Sequence, residues 1–198
     1  MTPVIDLAVD TLRDPQGTAQ RIIGWQLDRA TLYTALFAVA AINAIFAATP
    51  LILFPGALDD ATRQALPILS LLERPLILFF FIAGGLVVMV QALFWAGRAM
   101  GGHGEMADML VLLVWLQALR ATAQIAVIVL NLAVPTLAGL FALCVVVVTF
   151  WLLLHFISAA LRFGSLFQAF GLLVAVVAGL FLGMMLILTL MGVSAGGL

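Results

Sequence analysis

Residues 136–161 read TLAGLFALCVVVVTFWLLLHFISAAL, a run without a single Asp, Glu, Lys or Arg. A helix needs roughly 20 predominantly apolar residues to cross the hydrocarbon core of a bilayer, and this run exceeds that length. Four further stretches have the same character, at about 31–54, 75–96, 109–134 and 165–192, and the short segments between them hold most of the charge. The pattern predicts an all-α integral membrane protein: a bundle of five transmembrane helices with an N-terminal amphipathic interfacial helix. Residues 1–30 form the N-terminal segment, 31–192 the membrane domain and 193–198 a tail.

Composition supports this. Of 198 residues, 66% are hydrophobic and 9% charged, against about 25% charged in ordinary soluble domains. Too few polar residues exist to cover a soluble surface. The net charge of −1 gives nucleic acid no electrostatic foothold, so none is expected as a partner. All eight basic residues are arginine, which with the abundant Ala, Gly, Leu and Val suggests a GC-rich bacterial genome. The lone cysteine, Cys144, cannot form an internal disulfide and reads as a small core hydrophobe. The acidic N-terminus lacks the basic lead of a cleaved signal peptide.

Near the N-terminus, Asp14 followed by Pro15 is a helix start, because Asp accepts from free backbone N–H groups and proline suits the first helical position. Ala19, Ile22, Ile23 and Gln26 follow at helical spacing beside Trp25. The expectation is a helix of about three turns on the membrane surface, its apolar side towards lipid and Trp25 at headgroup level. Val4, Ile5, Ala8 and Leu12 form a similar short piece before it. The first span is expected to stop at Pro55-Gly56. A polar connection with Asp59, Asp60, Arg63, Glu73 and Arg74 follows, with a short interfacial helix at 61–72. Pro75 opens the second span, and Gly97, Gly101, Gly102 and Gly104 make 97–108 the most loop-like segment.

Orientation follows from the arginines. Arg13, Arg21, Arg29, Arg98 and Arg162 fall on the N-terminal side, and Arg63 and Arg74 on the other. The positive-inside bias places the N-terminus in the cytoplasm and the C-terminus in the periplasm of a bacterial inner membrane.

Arg120 lies within the third span. A central Arg costs about 2.5–3.5 kcal/mol on insertion scales, while each Leu, Ile, Val or Phe returns about 0.3–0.6. Gln117 and Gln124 subtract further, so this segment needs neighbours. At 100° per residue Gln117, Arg120, Gln124 and Asn131 share a stripe about 60° wide, which should face the bundle interior or a wet cavity. Asn43 in the first span and Gln91 in the second are available partners, and no span carries a central acid. These six residues form the candidate polar intramembrane site. It is either an anion or lipid-headgroup site with Arg120 as its charge, or a structural polar contact between helices.

Other groupings are weaker. His103, Glu105 and Asp108 lack the i, i+3 or i+4 spacing of helical metal ligands and read as solvated loop charges, so no metal or other cofactor is expected. His155, with Ser158 one turn on, reads as an interfacial hydrogen-bonding group. Gly84, Gly85, Gly139 and the G-x-x-x-G pair Gly179 and Gly183 are expected to let helices approach closely. Ser165 is followed by Leu rather than by the rhomboid pattern, and no H-E-x-x-H is present, so catalysis is not expected.

Four passages carry a family resemblance: T-L-R-D-P at Thr11 to Pro15, A-G-R-A-M-G-G-H-G-E from Ala96 to Glu105, W-L-Q-A at Trp115 to Ala118, and R-F-G-S-L-F-Q-A from Arg162 to Ala169. With the layout of residues 10–190, the chain resembles the bacterial branch of the Yip (Ypt-interacting protein) domain family. The resemblance implies five transmembrane helices and a cytoplasmic N-terminus. Eukaryotic relatives bind Rab GTPases in vesicle trafficking; their tyrosine-containing signatures are missing here, so that role does not carry over. The expected function is a non-enzymatic inner-membrane protein working through membrane lipids, a membrane-protein partner or homo-oligomerisation. The rival is a small transporter or lipid-translocating protein built on Arg120.

Overall fold

The computed structural model describes residues 4–53 and 74–190. Among them are seven α-helices and no strand: α1 (Val4–Arg13), α2 (Pro15–Ile23), α3 (Arg29–Leu53), α4 (Pro75–Ala99), α5 (Met106–Ala133), α6 (Pro135–Leu161) and α7 (Leu166–Leu190). Five are long and apolar enough to cross a membrane, and they are the five stretches expected from the sequence. The expected stop at Pro55-Gly56, the helix at 61–72 and the tail 193–198 lie outside the described residues.

Proline sets three of the helix starts. Pro15, Pro75 and Pro135 each stand in the first turn, where the missing N–H is no loss and the ring holds φ near its helical value. Val134 has φ −144° and ψ 90°, as sterics before a proline demand. It alone separates α5 from α6, closing them into a tight antiparallel pair with the most extensive interface in the bundle. α5 also packs on α3, α4 and α2, which makes it the central helix.

Packing is uneven along the bundle. Buried side chains crowd the end that carries the N-terminus: Leu110, Leu113 and Leu116 of α5, Phe156 and Leu161 of α6, and Leu172 of α7. Towards the other end the apolar residues turn outwards, as at Val129, Leu132, Leu140, Leu143, Leu182 and Leu186. Such a surface suits hydrocarbon, since water would leave it unsolvated. At 28 residues, α5 is about 42 Å long, well over the ~30 Å hydrocarbon core.

The N-terminal helices corrected one expectation. α2 is amphipathic, but its apolar face is not turned to lipid: Ala19 and Ile22 are fully buried, and the helix packs on α5 and α6. Burying two such residues stabilises by a few kcal/mol (about 25 cal/mol per Å² of apolar area), and the ends of α5 and α6 supply the surface. In α1, by contrast, the apolar residues Val4, Ile5, Val9 and Leu12 are exposed while Leu7 and Thr11 are buried.

The glycines corrected another. Among the described residues nothing lies within 4 Å of a Cβ built on Gly84, Gly85, Gly139, Gly179 or Gly183, so none of them serves a close approach between the described helices. Close approach occurs in the last turn of α4 and in the loop that follows it. A Cβ on Gly97 would collide with the Leu161 side chain, and one on Gly104 would overlap the Ala160 carbonyl.

Candidate functional site

The site is built around the α1–α2 hairpin. Asp14 ends α1 and caps α2, its Oδ1 accepting from the Gly17 N–H at 2.9 Å. The Thr11 hydroxyl donates to the Leu7 carbonyl at 2.7 Å and accepts from the Trp115 indole N–H at 3.1 Å. This pins α1 against α5. Arg21 and Asp10 pair at 3.0 Å across the hairpin; both are exposed, so the pair contributes at most about 1 kcal/mol.

Between α1, α5 and α6 runs an apolar groove of about 410 Å³. Ile5 and Val9 wall one side, Leu116 and Leu119 the back, and Val145 and Val148 the other side. Arg120 is its one charged lining residue, exposed, and without a salt bridge or side-chain hydrogen bond among the described residues. Cys144 lines the same groove and is exposed. The core position expected for it is therefore corrected, because its side of α6 borders the open groove rather than a packed neighbour.

The six candidate polar residues are placed as follows. Gln117 lines a crevice between α3, α4 and α5 with Leu36, Val39, Leu86 and Val90, on a different side of α5 from the Arg120 groove. Asn43 is half-buried and donates to the Val39 carbonyl, one turn back on its own helix, at 2.8 Å. Gln91 and Gln124 are half-buried, and Asn131 is exposed near the end of α5. Among the described residues no hydrogen bond joins any two of the six. The stripe is thus divided: its first member faces helices α3 and α4, and Arg120 faces α1 and α6.

The end of α6 holds a second arrangement. Its last carbonyls are taken by backbone donors: Ser158 by the Phe163 N–H at 2.9 Å, Ala159 by Arg162 at 3.3 Å, and Leu161 by His103 from the α4–α5 loop at 3.0 Å. Gly101 takes φ +89° to turn this loop, and Gly102 N–H closes it on the Gly97 carbonyl at 2.9 Å. Arg162 is left-handed, φ 57° and ψ 42°, a conformation that costs a residue with a Cβ about 1 kcal/mol and glycine nothing. At the start of α5, Asp108 accepts from the Glu105 N–H at 3.2 Å, and no group of three metal-ligating side chains comes together among the described residues. His155 Nδ1 lies 2.8 Å from the Trp151 carbonyl, not on Ser158, and its ring packs on the Trp151 indole.

The passages T-L-R-D-P and W-L-Q-A, far apart in sequence, thus meet at Thr11 and Trp115, and the Gly-rich loop meets Ala160 and Leu161 at the end of α6, immediately before the R-F-G-S passage. The family model of the Yip1 domain matches residues 9–191, from the middle of α1 to just past α7. The chain belongs to the Yip1 domain family. No curated protein and no solved structure matches it. In this Yip1 domain the hairpin, the glycine loop and the end of α6 form one packed cap, and the Arg120 groove opens beside it. The Thr11–Trp115 bond was not foreseeable from local pattern, since 104 positions separate the two and nothing near either one marks the other as its partner. The one available signal for Arg162 was its place where a helix C-terminus usually carries glycine.

Proposed function

We propose that this Yip1-family membrane protein is non-enzymatic and acts by holding membrane lipid in the groove between α1, α5 and α6. The acyl chain would lie along the apolar wall, and Arg120 would meet an anionic or ester oxygen of the same molecule. The observation that carries the reading is the groove itself: about 410 Å³ of apolar space with one guanidinium, unpaired among the described residues, on its wall. A charge in such surroundings is costly without a partner, and intramembrane charges mark ligand pathways by default. The exposed apolar residues of α1 support the same reading, because such a face suits a helix lying at the membrane surface. The arginine bias supports a bacterial inner-membrane setting with a cytoplasmic N-terminus.

Native mass spectrometry of the purified protein, with and without Arg120→Leu, tests this. Wild type should retain an anionic phospholipid that the variant loses. Equal retention by a well-folded variant rejects the groove as the site. Gln117, Gln124, Asn131, Asn43 and Gln91 are, on this reading, helix-to-helix polar contacts, and their substitution should leave lipid retention intact.

A further inference from the structure

A second cavity, of about 220 Å³, lies between α2 and the end of α6. Four of its six lining residues are polar: Gln16 and Gln20 from α2, Ser158 and Arg162 from α6 and its cap. Both sides follow from helix geometry. Gln16 and Gln20 are four residues apart and share a face, as do Ser158 and the position occupied by Arg162. The two faces oppose each other because α2 packs on α6.

The chemistry of this wall is that of an anion cradle. A guanidinium offers a planar fork of donors matched to phosphate oxygens. Two carboxamides add N–H groups, and neither makes a side-chain hydrogen bond among the described residues. Ser158 is buried, and its hydroxyl reaches the Phe163 carbonyl only at 3.3 Å. No carboxylate among the described residues lines this cavity. Glu105 and Asp108 line the neighbouring one on the other side of Arg162, and no salt bridge joins either to it among the described residues. The negative end of the α6 dipole is muted as well, since backbone N–H groups already engage the carbonyls of Ser158, Ala159 and Leu161.

Arg162 occupies this place at a conformational cost. Its φ of 57° belongs to the region where glycine caps helices, yet an arginine stands there. Strain held at a charged residue on a cavity wall points to use of the side chain. We propose that Arg162, Gln16, Gln20 and Ser158 bind a phosphate group, carried by a phospholipid headgroup or free in solution. The cavity has room for the group and several waters.

Arg162→Gly is the decisive variant, because glycine suits the left-handed cap while the guanidinium is lost together with its aliphatic stem. The full chain in detergent is titrated with inorganic phosphate, and in nanodiscs with phosphatidylglycerol against phosphatidylcholine. Wild type should bind saturably, and Arg162→Gly should bind about tenfold more weakly or worse, the effect of losing one charge-assisted contact, while melting no lower. Binding of free phosphate identifies a soluble ligand; binding only in phosphatidylglycerol nanodiscs identifies the headgroup. Should Arg162→Gly fold poorly, the exposed pair Gln16→Leu with Gln20→Leu must show the loss instead. Arg120→Leu should leave the binding of inorganic phosphate unchanged, and the loss caused by Arg162→Gly in phosphatidylglycerol nanodiscs should persist in an Arg120→Leu background, which separates this site from the groove. Equal binding by wild type and Arg162→Gly, or no saturable binding to either probe, overturns the assignment.

Discussion

The Trp115 indole N–H donates to the Thr11 hydroxyl at 3.1 Å, joining two residues 104 positions apart in the chain. Thr11 is wholly buried and Trp115 half-buried. Thr11→Val keeps the shape and removes the acceptor, leaving the indole N–H without its protein partner. We expect a loss of about 1–2 kcal/mol in thermal or denaturant unfolding in detergent. Trp115→Phe should cost more through lost packing, and the double mutant should cost less than the sum of the two. Strict additivity would show that the bond contributes nothing.

Gly104→Ala forces a methyl into the Ala160 carbonyl, which is backbone and cannot yield cheaply. A loss of about 1–3 kcal/mol is expected from the overpacking. Gly84→Ala and Gly179→Ala meet open space and should instead be neutral or stabilising by about 0.5–1 kcal/mol, through helix propensity. Melting temperatures of the three variants check this contrast.

Cys144, the single thiol of the chain, provides a reporter for the groove. N-ethylmaleimide should modify it in detergent, and added anionic phospholipid should slow the reaction at least severalfold. In Arg120→Leu the lipid should give little protection. Mass spectrometry of the intact protein reads the rate.

Asp28 caps α3, its carboxylate accepting from the Thr31 hydroxyl and N–H. These hydrogen bonds, the hydroxyl's first, hold its pKa below the ordinary carboxylate value. A depressed folded-state pKa gives stability that is present above the unfolded pKa of about 4 and lost as pH falls through the lower folded value. Wild type should therefore melt above Asp28→Ala at neutral pH, with the gap shrinking below about pH 4. A pH-independent gap would mean that the cap does not depend on the charge.

The five spanning helices were legible because length and apolarity alone decide whether a helix can cross hydrocarbon, and the Asp14-Pro15 start was legible because capping is local chemistry. What escaped the sequence was the identity of each neighbour. Amphipathicity showed that α2 has one apolar face, but lipid and the ends of α5 and α6 satisfy that face equally. A helical wheel put Gln117 and Arg120 within one stripe, yet α5 meets α3 and α4 on one side and α1 and α6 on another, so a modest angle separates two environments. The glycines misled for the same reason: Gly179 and Gly183 have the right spacing, while the real backbone contact runs through Gly104, in a loop.

The one-residue join at Val134 bears on how the protein is made. A segment weakened by an arginine and two glutamines would enter a membrane reluctantly alone. Tied to α6 with no slack, it can arrive only as half of a helical hairpin whose other half is among the most apolar in the chain. Lengthening that join should therefore harm biogenesis before it harms the finished bundle, leaving α5 stranded outside the bilayer.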